Sequence, residues 1–260
     1  MILAIDRGFL ESILPELIQG FRLNSFESAT TLEARFEQNL ENQARAYSEE
    51  NDTYPVVLKI HGAIVKKSNW DYIGTQTFAR WVKHLDAHPD VSAIIFDIDS
   101  GGGMVSGTAE FANVIRNCQK PTIAYTNGYM CSAAYHIAAA CDKVLANPFA
   151  DYIGSIGTML QTQDFSAMFE KWGAKIYEEY APQSSEKNKI WRDLQSGDNT
   201  SAQEHLSVLA DNFINTMKVY RPQIKDDEKV FKGAVYTPEK ALEVGLIDEI
   251  MTLEQILNEF

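Results

Sequence analysis

Cysteine is scarce in this chain, whose 260 residues include only Cys118, Cys131 and Cys141. An odd number of cysteines, without the close paired spacing of a zinc site, indicates neither a disulfide framework nor a structural metal. We therefore expect free thiols in a reducing compartment, and no metal ion or other cofactor.

Long apolar segments are also lacking. No run approaches the roughly 18 consecutive apolar residues that a membrane-spanning helix needs. Residues 1–5 are apolar but are followed at once by Asp6 and Arg7, so they lack the basic start and long apolar stretch of a secretory signal. These features predict a soluble, cytoplasmic protein without a membrane anchor.

Basic residues are also fewer than acidic ones. The chain has 23 Lys and Arg against 36 Asp and Glu, a formal net charge of −13, and its basic residues form no long run. Nucleic acids and anionic membranes attract proteins largely through basic side chains. Neither is therefore expected as a partner.

The remaining composition suits one fairly large globular domain with an appendage, since 45% of the residues are hydrophobic. Residues 1–50 predict a helical N-terminal arm, because apolar residues recur at helical spacing over residues 9–21 and again over residues 30–47. Residues 54–260 form the main domain. The sequence leaves open whether the arm packs on this domain, contacts another subunit or is a removable leader.

Strands and helices alternate from residue 54 onward. Buried strands are predicted at residues 56–60, 91–98, 122–126 and 143–146, and intervening helices at residues 70–85, 105–117 and 133–140. Repeated strand, helix, strand units imply a parallel sheet with right-handed crossovers, and ligands of such sheets bind at the carboxyl ends of the strands. The pattern therefore predicts an α/β fold.

The segment at residues 128–140 reads Gly-Tyr-Met-Cys-Ser-Ala-Ala-Tyr-His-Ile-Ala-Ala-Ala. It follows a predicted strand, and its second half is rich in alanine, the strongest helix former. Ser132 is thus predicted at a junction of strand and helix, where unpaired N–H groups and the helix dipole favour a developing oxyanion. This position suits a nucleophile, although an ordinary helix N-cap is the simpler interpretation.

A serine nucleophile needs a general base. His136 lies one turn after Ser132 and would point away from the strand ends, while the other histidines are expected to be solvated or packed. A lysine can serve where burial and neighbours lower its pKa. Lys187 and Lys189 lie in a polar segment that could fold back over the strand ends, although taken alone each is more simply a surface charge.

Several blocks occur in a characteristic order: Asp97-Ile98-Asp99-Ser100-Gly101-Gly102-Gly103, residues 127–138, residues 140–144, Gly154-Ser155-Ile156-Gly157 and residues 233–248. Together they resemble the signal peptide peptidase A family of Ser-Lys peptidases over residues 54–250. The resemblance implies a Clp protease/crotonase-like fold with a parallel sheet and crossover helices. It also implies assembly into a homo-oligomer.

Catalytic roles follow from the same resemblance. Ser132 corresponds to the nucleophile in the family's Ser-Ala/Gly-x-Tyr-x-Ile-Ala motif, and Lys187 best matches its general base, with Lys189 as the alternative. Clp-type serine proteases use a histidine downstream of the serine instead, but Ile-Gly-Thr occupies that region here, at residues 156–158. A Ser-His-Asp triad is therefore disfavoured.

The oxyanion hole is expected to form from two backbone stretches. The family's Ser-Pro-Gly-Gly loop corresponds to residues 100–103, so that Gly101 stands where the family has proline. Either Gly102 or Gly103 would then provide one N–H donor, and Ala133 would provide the second.

Within this family, the chain most resembles the soluble capsid (head maturation) proteases of tailed phages and prophages. The resemblance implies a serine endopeptidase that processes scaffold or capsid proteins, in the bacterial host cytoplasm or the phage procapsid. Other hypotheses are a host signal-peptide or quality-control peptidase and a catalytically silent crotonase-like assembly module. An acyl-CoA enzyme on this fold is a further alternative, since a fold does not set function, but no carboxylate stands in an obvious acid/base position.

Overall fold

The computed structural model describes residues 2–5, 29–47, 53–69, 72–162, 166–173, 175, 177–225 and 229–260. The strands are β1 (Ile2–Ile5), β2 (Tyr54–His61), β3 (Val91–Asp99), β4 (Gly102–Met104), β5 (Thr122–Thr126), β6 (Tyr129–Cys131), β7 (Lys143–Ala146), β8 (Tyr152–Gly154), β9 (Met159–Leu160), β10 (Val235–Tyr236) and β11 (Glu249–Ile250). The helices are α1 (Ala29–Tyr47), α2 (Thr75–Ala87), α3 (Thr108–Arg116), α4 (Ala133–Ala138), α5 (Ser166–Lys171), α6 (Lys189–Gln195), α7 (Thr200–Tyr220), α8 (Pro238–Glu243) and α9 (Leu253–Leu257). None of these described helices is both long and apolar enough to cross a membrane.

A five-stranded sheet in the order β11-β7-β5-β3-β2 forms the centre of the molecule, and all its neighbouring strands run parallel. Its strand β3 has paired strands on both sides, and residues 93–96 within it are fully buried. A parallel strand covered on both faces needs a continuous apolar run rather than an alternating one. The predicted α/β class with a parallel sheet is confirmed.

Successive residues of β3 contribute to different cores. Ile94, Phe96 and Ile98 belong to the main hydrophobic cluster, which includes side chains from α1, α2, α3, α4 and α7. Ile95 belongs to a second cluster, to which the C-terminal helix α9 contributes Ile256. Because side chains alternate between the two faces of a strand, the sheet has a packed layer on each face.

Two smaller sheets continue from the carboxyl ends of the central strands. In one, β8 runs parallel to β6 and antiparallel to β10. In the other, β1 lies between β4 and β9 and is antiparallel to both. The carboxyl edge of the central sheet is thus extended by short strands on which the candidate site is built.

The N-terminal arm is partly as predicted. Its second helix is confirmed as α1, and that helix packs on the domain through Leu32, Phe36 and Leu40, which are buried in the main core. The helix predicted over residues 9–21 lies outside the described residues. The description of the arm as helical throughout is wrong at residues 2–5, where the chain forms β1 and pairs with two strands of the domain.

Two predicted helices begin later than expected. The structure has α2 starting at Thr75, because the preceding Gly74 is extended and the Thr75 N–H donates to the Val65 carbonyl at 2.8 Å. Helix α3 starts at Thr108, because Gly107 adopts a left-handed φ of 91° that ends the preceding turn. Both helices were predicted to begin too early, because the apolar spacing of the sequence continues through the turns that precede them.

Candidate active site

Ser132 occupies the single residue between β6 and α4. Its backbone has φ 56° and ψ −119°, a sparsely populated conformation for a non-glycine residue that costs on the order of 1–3 kcal/mol. The Ser132 N–H donates to the Gly154 carbonyl at 2.7 Å, and the Ser132 carbonyl accepts from the His136 N–H at 2.9 Å. Its side chain makes no capping hydrogen bond to α4, so the ordinary N-cap interpretation is wrong.

The glycine loop predicted to bind the oxyanion lies beside this junction. The Ser100 N–H donates to the Tyr129 carbonyl at 2.7 Å, and the Cys131 N–H donates to the Ser100 carbonyl at 3.0 Å. Both bonds attach the loop to β6, the strand that ends at the candidate nucleophile. The loop and Ser132 are therefore held in fixed register by backbone contacts.

Gly103 packs too closely for any side chain. A Cβ atom at this position would lie 2.1 Å from the carbonyl oxygen of Ile64 and 2.6 Å from its nitrogen. The Ile64 backbone is itself fixed, since its N–H donates to the Gly102 carbonyl and its carbonyl accepts from the Met104 N–H. Glycine is therefore required for the backbone to reach this position.

The candidate oxyanion donors differ in availability. The Gly102 N–H donates to the buried Ser100 hydroxyl oxygen at 3.1 Å, so this donor already has an acceptor. Ala133 is the first residue of α4, where the N–H has no intrahelical acceptor. Of the residues predicted from sequence, Ala133 is thus better placed to donate than Gly102, while Gly103 pairs with Ala4 in the ladder between β4 and β1.

His136 is packed rather than positioned as a base. It is 8% exposed, its ring stacks on Phe213 with centroids 4.8 Å apart, and its Nε2 has no hydrogen-bond partner among the described residues. Burial lowers the pKa of His136 to about 4. The structure contains no side-chain hydrogen bond between His136 and Ser132 within the part of the chain that it describes, in agreement with the expectation that this histidine is not the base.

The two candidate lysines lie elsewhere in this conformation. Lys187 is exposed, in the turn that follows a 3-10 segment at Pro182–Ser184. Lys189 begins α6, and its Nζ donates to the Asp193 carboxylate at 2.6 Å. That hydrogen bond raises the pKa of Lys189. Neither amine hydrogen-bonds to Ser132 in the described structure, so the structure brings Ser132 and the glycine loop together but not the lysine.

An apolar cavity of about 180 Å³ adjoins the junction. Ala133 contributes to its wall beside the candidate nucleophile, and Val105, Leu209 and Phe213 provide much of the remaining apolar lining. A cavity of this character fits an uncharged, apolar side chain.

Some residues of the site were not predicted. Ser100 holds the Gly102 N–H, and Gly154 anchors the Ser132 N–H through its carbonyl. Ser155 follows with a positive φ of 53°. The only signals in the sequence were the Gly-Ser-Ile-Gly block and the serine before the glycine loop, since backbone partners leave no pattern of residue types.

Potential metal ligands are not clustered among the residues that the structure describes. The three cysteines are free thiols, and the described residues contain no group of three or more His, Cys, Asp and Glu side chains placed to hold a metal ion.

Comparison with curated proteins finds phage relatives. The chain is 26% identical to the capsid assembly protease C of Escherichia phage lambda over 247 residues, which are 92% of this chain and 56% of that protein. It is 26% identical to the head-tail preconnector protein GP5 of Enterobacteria phage P21 over 174 residues, or 66% of this chain and 34% of that protein. The chain thus spans about half or less of the length of these relatives.

Comparison with solved structures supports the fold. A mutant of the 1510-N membrane-bound stomatin-specific protease matches with a TM-score of 0.53 and 17% identity, over 80% of this chain and 85% of that one. A second mutant of it, in complex with a substrate peptide, matches with a TM-score of 0.52, 18% identity and 80% coverage of each chain. The predicted Clp/crotonase-like fold is confirmed.

The model of peptidase family S49 matches residues 115–260, which is more than half of the chain. The matched region begins before β5 and includes Ser132, the lysine segment and the C-terminal strands and helices. The fold, the strained serine and the family model agree, and the resemblance stated from the sequence is confirmed: this chain belongs to peptidase family S49.

Proposed function

We propose that the chain is a serine endopeptidase in which Ser132 is the nucleophile and Lys187 the general base, with Lys189 as the alternative. The observation that carries the proposal is the strained Ser132 backbone at the start of α4, directly after the strand β6 to which Ser100 of the glycine loop is hydrogen-bonded. Such strain persists where the surrounding structure enforces it, and it is concentrated at active sites.

The chemistry follows from these positions. The Ser132 hydroxyl attacks the peptide carbonyl and gives its proton to the neutral lysine amine. The Gly103 and Ala133 N–H groups donate to the negative oxygen of the tetrahedral intermediate. The resulting ammonium then protonates the leaving amine, and water hydrolyses the acyl-enzyme.

The lysine must approach from its present position. Lys187 lies in an exposed turn between Pro182–Ser184 and α6, so a change in that turn can carry the amine without altering the central sheet. Burial against a substrate or a second subunit would also lower its pKa, because desolvation disfavours the ammonium form. We propose that homo-oligomer assembly or substrate binding completes the site in this way.

Scaffold or capsid proteins are the proposed substrates, during phage head maturation in the host cytoplasm or the procapsid. Support comes from the match to capsid assembly protease C, which extends over 92% of this chain. Scaffold and capsid proteins encoded beside this gene, expressed with the chain, should be cut at defined bonds. Cleavage of signal peptides, with the capsid proteins left intact, would favour the host quality-control alternative.

The proposed nucleophile and base can be tested directly. Ser132→Ala should reduce cleavage of casein by at least about 10³-fold and abolish labelling by a fluorophosphonate, because both reactions require the serine oxygen. Lys187→Ala should reduce cleavage by about 10²- to 10⁴-fold, the usual contribution of a general base.

Matched controls separate catalysis from folding. Ser207→Ala and Lys232→Ala remove the same groups at exposed positions outside the proposed site and should retain activity. If Lys189→Ala is inactive while Lys187→Ala is active, Lys189 is the base. Full activity in Ser132→Ala would contradict the proposal, and absence of both cleavage and labelling in the assembled wild type would favour a silent assembly module.

A further inference from the structure

The strand β1 fills a slot between two strands of the candidate active site. Leu3, Ala4 and Ile5 pair with Met104, Gly103 and Gly102 of β4 in antiparallel register. On its other side, Ile2 and Leu3 pair with Leu160 and Met159 of β9. β4 and β9 have no ladder with each other, and residues 2–5 supply the central strand that joins them.

Both walls of this slot are connected to the proposed catalytic groups. β4 begins with Gly102 and Gly103, the oxyanion loop. β9 follows β8 after four residues, and β8 ends at Gly154, whose carbonyl accepts the Ser132 N–H. An extended chain between the two walls therefore lies directly beside the reacting centre.

β1 runs from N- to C-terminus toward the glycine loop of the candidate site. Because the pairing is antiparallel, Leu3 lies opposite Met104 and Ile5 opposite Gly102, so β1 advances toward the oxyanion loop. Ala4 lies opposite Gly103, one of the proposed oxyanion donors, and Ile5 lies one residue further along the glycine loop. A peptide bound in this register would present a carbonyl to Ser132 from its C-terminal end.

We propose that residues 2–5 of the chain occupy this slot as an internal competitor of substrate, which binds there as an antiparallel strand in their place. The inference rests on the proposed peptidase function. Strand addition provides main-chain hydrogen bonds on both sides of the bound peptide, which gives affinity largely independent of its sequence. The same bonds are used by β1, so the enzyme and its substrates compete for one set of partners.

The occupant also indicates the class of substrate. Residues 2–5 read Ile-Leu-Ala-Ile, without charge and rich in apolar side chains. The cavity beside Ala133 has apolar walls, and the wall includes Val105, the residue that follows β4. The preferred substrate is therefore an extended, uncharged and predominantly apolar segment of a protein.

An internal competitor has a large advantage over a free one. A tethered segment is present at an effective concentration in the millimolar range, so an added peptide at micromolar concentration binds only in the fraction of molecules in which β1 has left. Removing β1 from the slot should raise kcat/KM by about tenfold or more.

A pair of substitutions at one position isolates this effect. Ala4→Pro removes a backbone N–H from the centre of β1 and disfavours ladder pairing, whereas Ala4→Val preserves strand geometry. The assay is cleavage of a quenched-fluorescent peptide with an Ile-Leu-Ala-Ile segment by the full, assembled chain. We expect Ala4→Pro to cleave about tenfold faster than wild type, and Ala4→Val to remain within about twofold of wild type.

A second measurement guards against misfolding of the proline variant. A synthetic peptide of residues 1–8 should inhibit Ala4→Pro at lower concentration than it inhibits wild type, because the vacated slot accepts it. If wild type and Ala4→Pro are labelled at Ser132 by the fluorophosphonate but cleave and are inhibited equally, the slot proposal is wrong while the peptidase remains. If neither is labelled and neither cleaves, the proposed function itself fails.

Discussion

At the scale of single residues, burial of His136 makes folding sensitive to acid. The pKa of this histidine is about 4 in the folded protein, against 6.5 for the free side chain, because burial disfavours its charged form. The unfolded chain therefore binds an extra proton between pH 6.5 and pH 4. Stability falls as pH decreases through this window, and the loss is complete below about pH 4.

His136→Phe should remove that sensitivity. Phenylalanine can keep the stacking on Phe213 and cannot take up a proton. Between pH 7 and pH 4.5, the free energy of unfolding should fall by about 2.5 kcal/mol less in this variant than in wild type. Urea denaturation at the two pH values measures the difference. His205→Phe, at an exposed position, is the control and should leave the pH dependence of unfolding as in wild type. Equal pH dependence in wild type and His136→Phe would contradict the prediction.

The position of Ser132, the proposed nucleophile, was predictable from sequence, whereas the position of the lysine was not. Ser132 lies in a local pattern of strand, glycine turn and alanine-rich helix, so residues close in sequence determine its position. The proposed Lys187 is 55 positions away (187 minus 132), in an exposed turn whose placement depends on contacts other than its own propensities. Gly154 contributes through a backbone hydrogen bond, which many residue types can make, and Ser100 contributes through its hydroxyl oxygen as well as its backbone.

At the scale of elements, α1 covers the exposed edge of the central sheet. β2 is an edge strand, and Gln43 of α1 pairs with the Val57 backbone, accepting from its N–H at 2.7 Å and donating to its carbonyl at 3.1 Å. Edge strands with unpaired backbone groups promote aggregation unless they are covered. The N-terminal arm therefore covers a sheet edge through α1 and pairs with β4 and β9 through β1.

Phe36→Ala should test how strongly α1 is bound to the domain. Phe36 is buried, and its ring stacks on Trp81 at 4.6 Å. Truncation of a buried phenylalanine typically lowers the free energy of unfolding by about 3 kcal/mol or more. We expect one cooperative urea transition shifted to lower urea, while Glu37→Ala, on the exposed face of α1, leaves the midpoint unchanged. An unshifted transition in Phe36→Ala would show that α1 is not part of the folding unit.

The elements differ in how well sequence predicted them. β3 and β5 are apolar runs in the sheet interior, so both strands were predicted within one residue. β1 was missed because four apolar residues do not reveal a partner, and its pairing depends on β4 and β9, which follow it by about a hundred residues or more. Short strands are specified by their neighbours rather than by their own composition.

At the scale of the whole molecule, the C-terminal segment returns to the core and supports α4, the helix that follows Ser132. The Tyr135 hydroxyl of α4 donates to the Leu246 carbonyl at 2.8 Å. Nearby, Asp248 accepts two hydrogen bonds from the buried Arg221, at 2.8 and 2.7 Å, and a third from the Val144 N–H of β7 at 2.8 Å. One carboxylate thus connects the end of α7, the central sheet and the C-terminal strand.

Removing this carboxylate should destabilise the protein strongly. Asp248→Ala leaves the Arg221 guanidinium buried without its counter-ion, a change that typically costs about 3–5 kcal/mol, whereas Glu249→Ala at the next, exposed position should have little effect. Replacing the pair together, with Arg221→Met and Asp248→Ala, removes the uncompensated charge and should recover much of the loss. Urea denaturation of the wild type, the single variants Arg221→Met and Asp248→Ala, and the double variant measures the coupling. If the double variant is as unstable as the sum of its single changes, the two side chains act independently and the C-terminal segment is held by its apolar contacts instead.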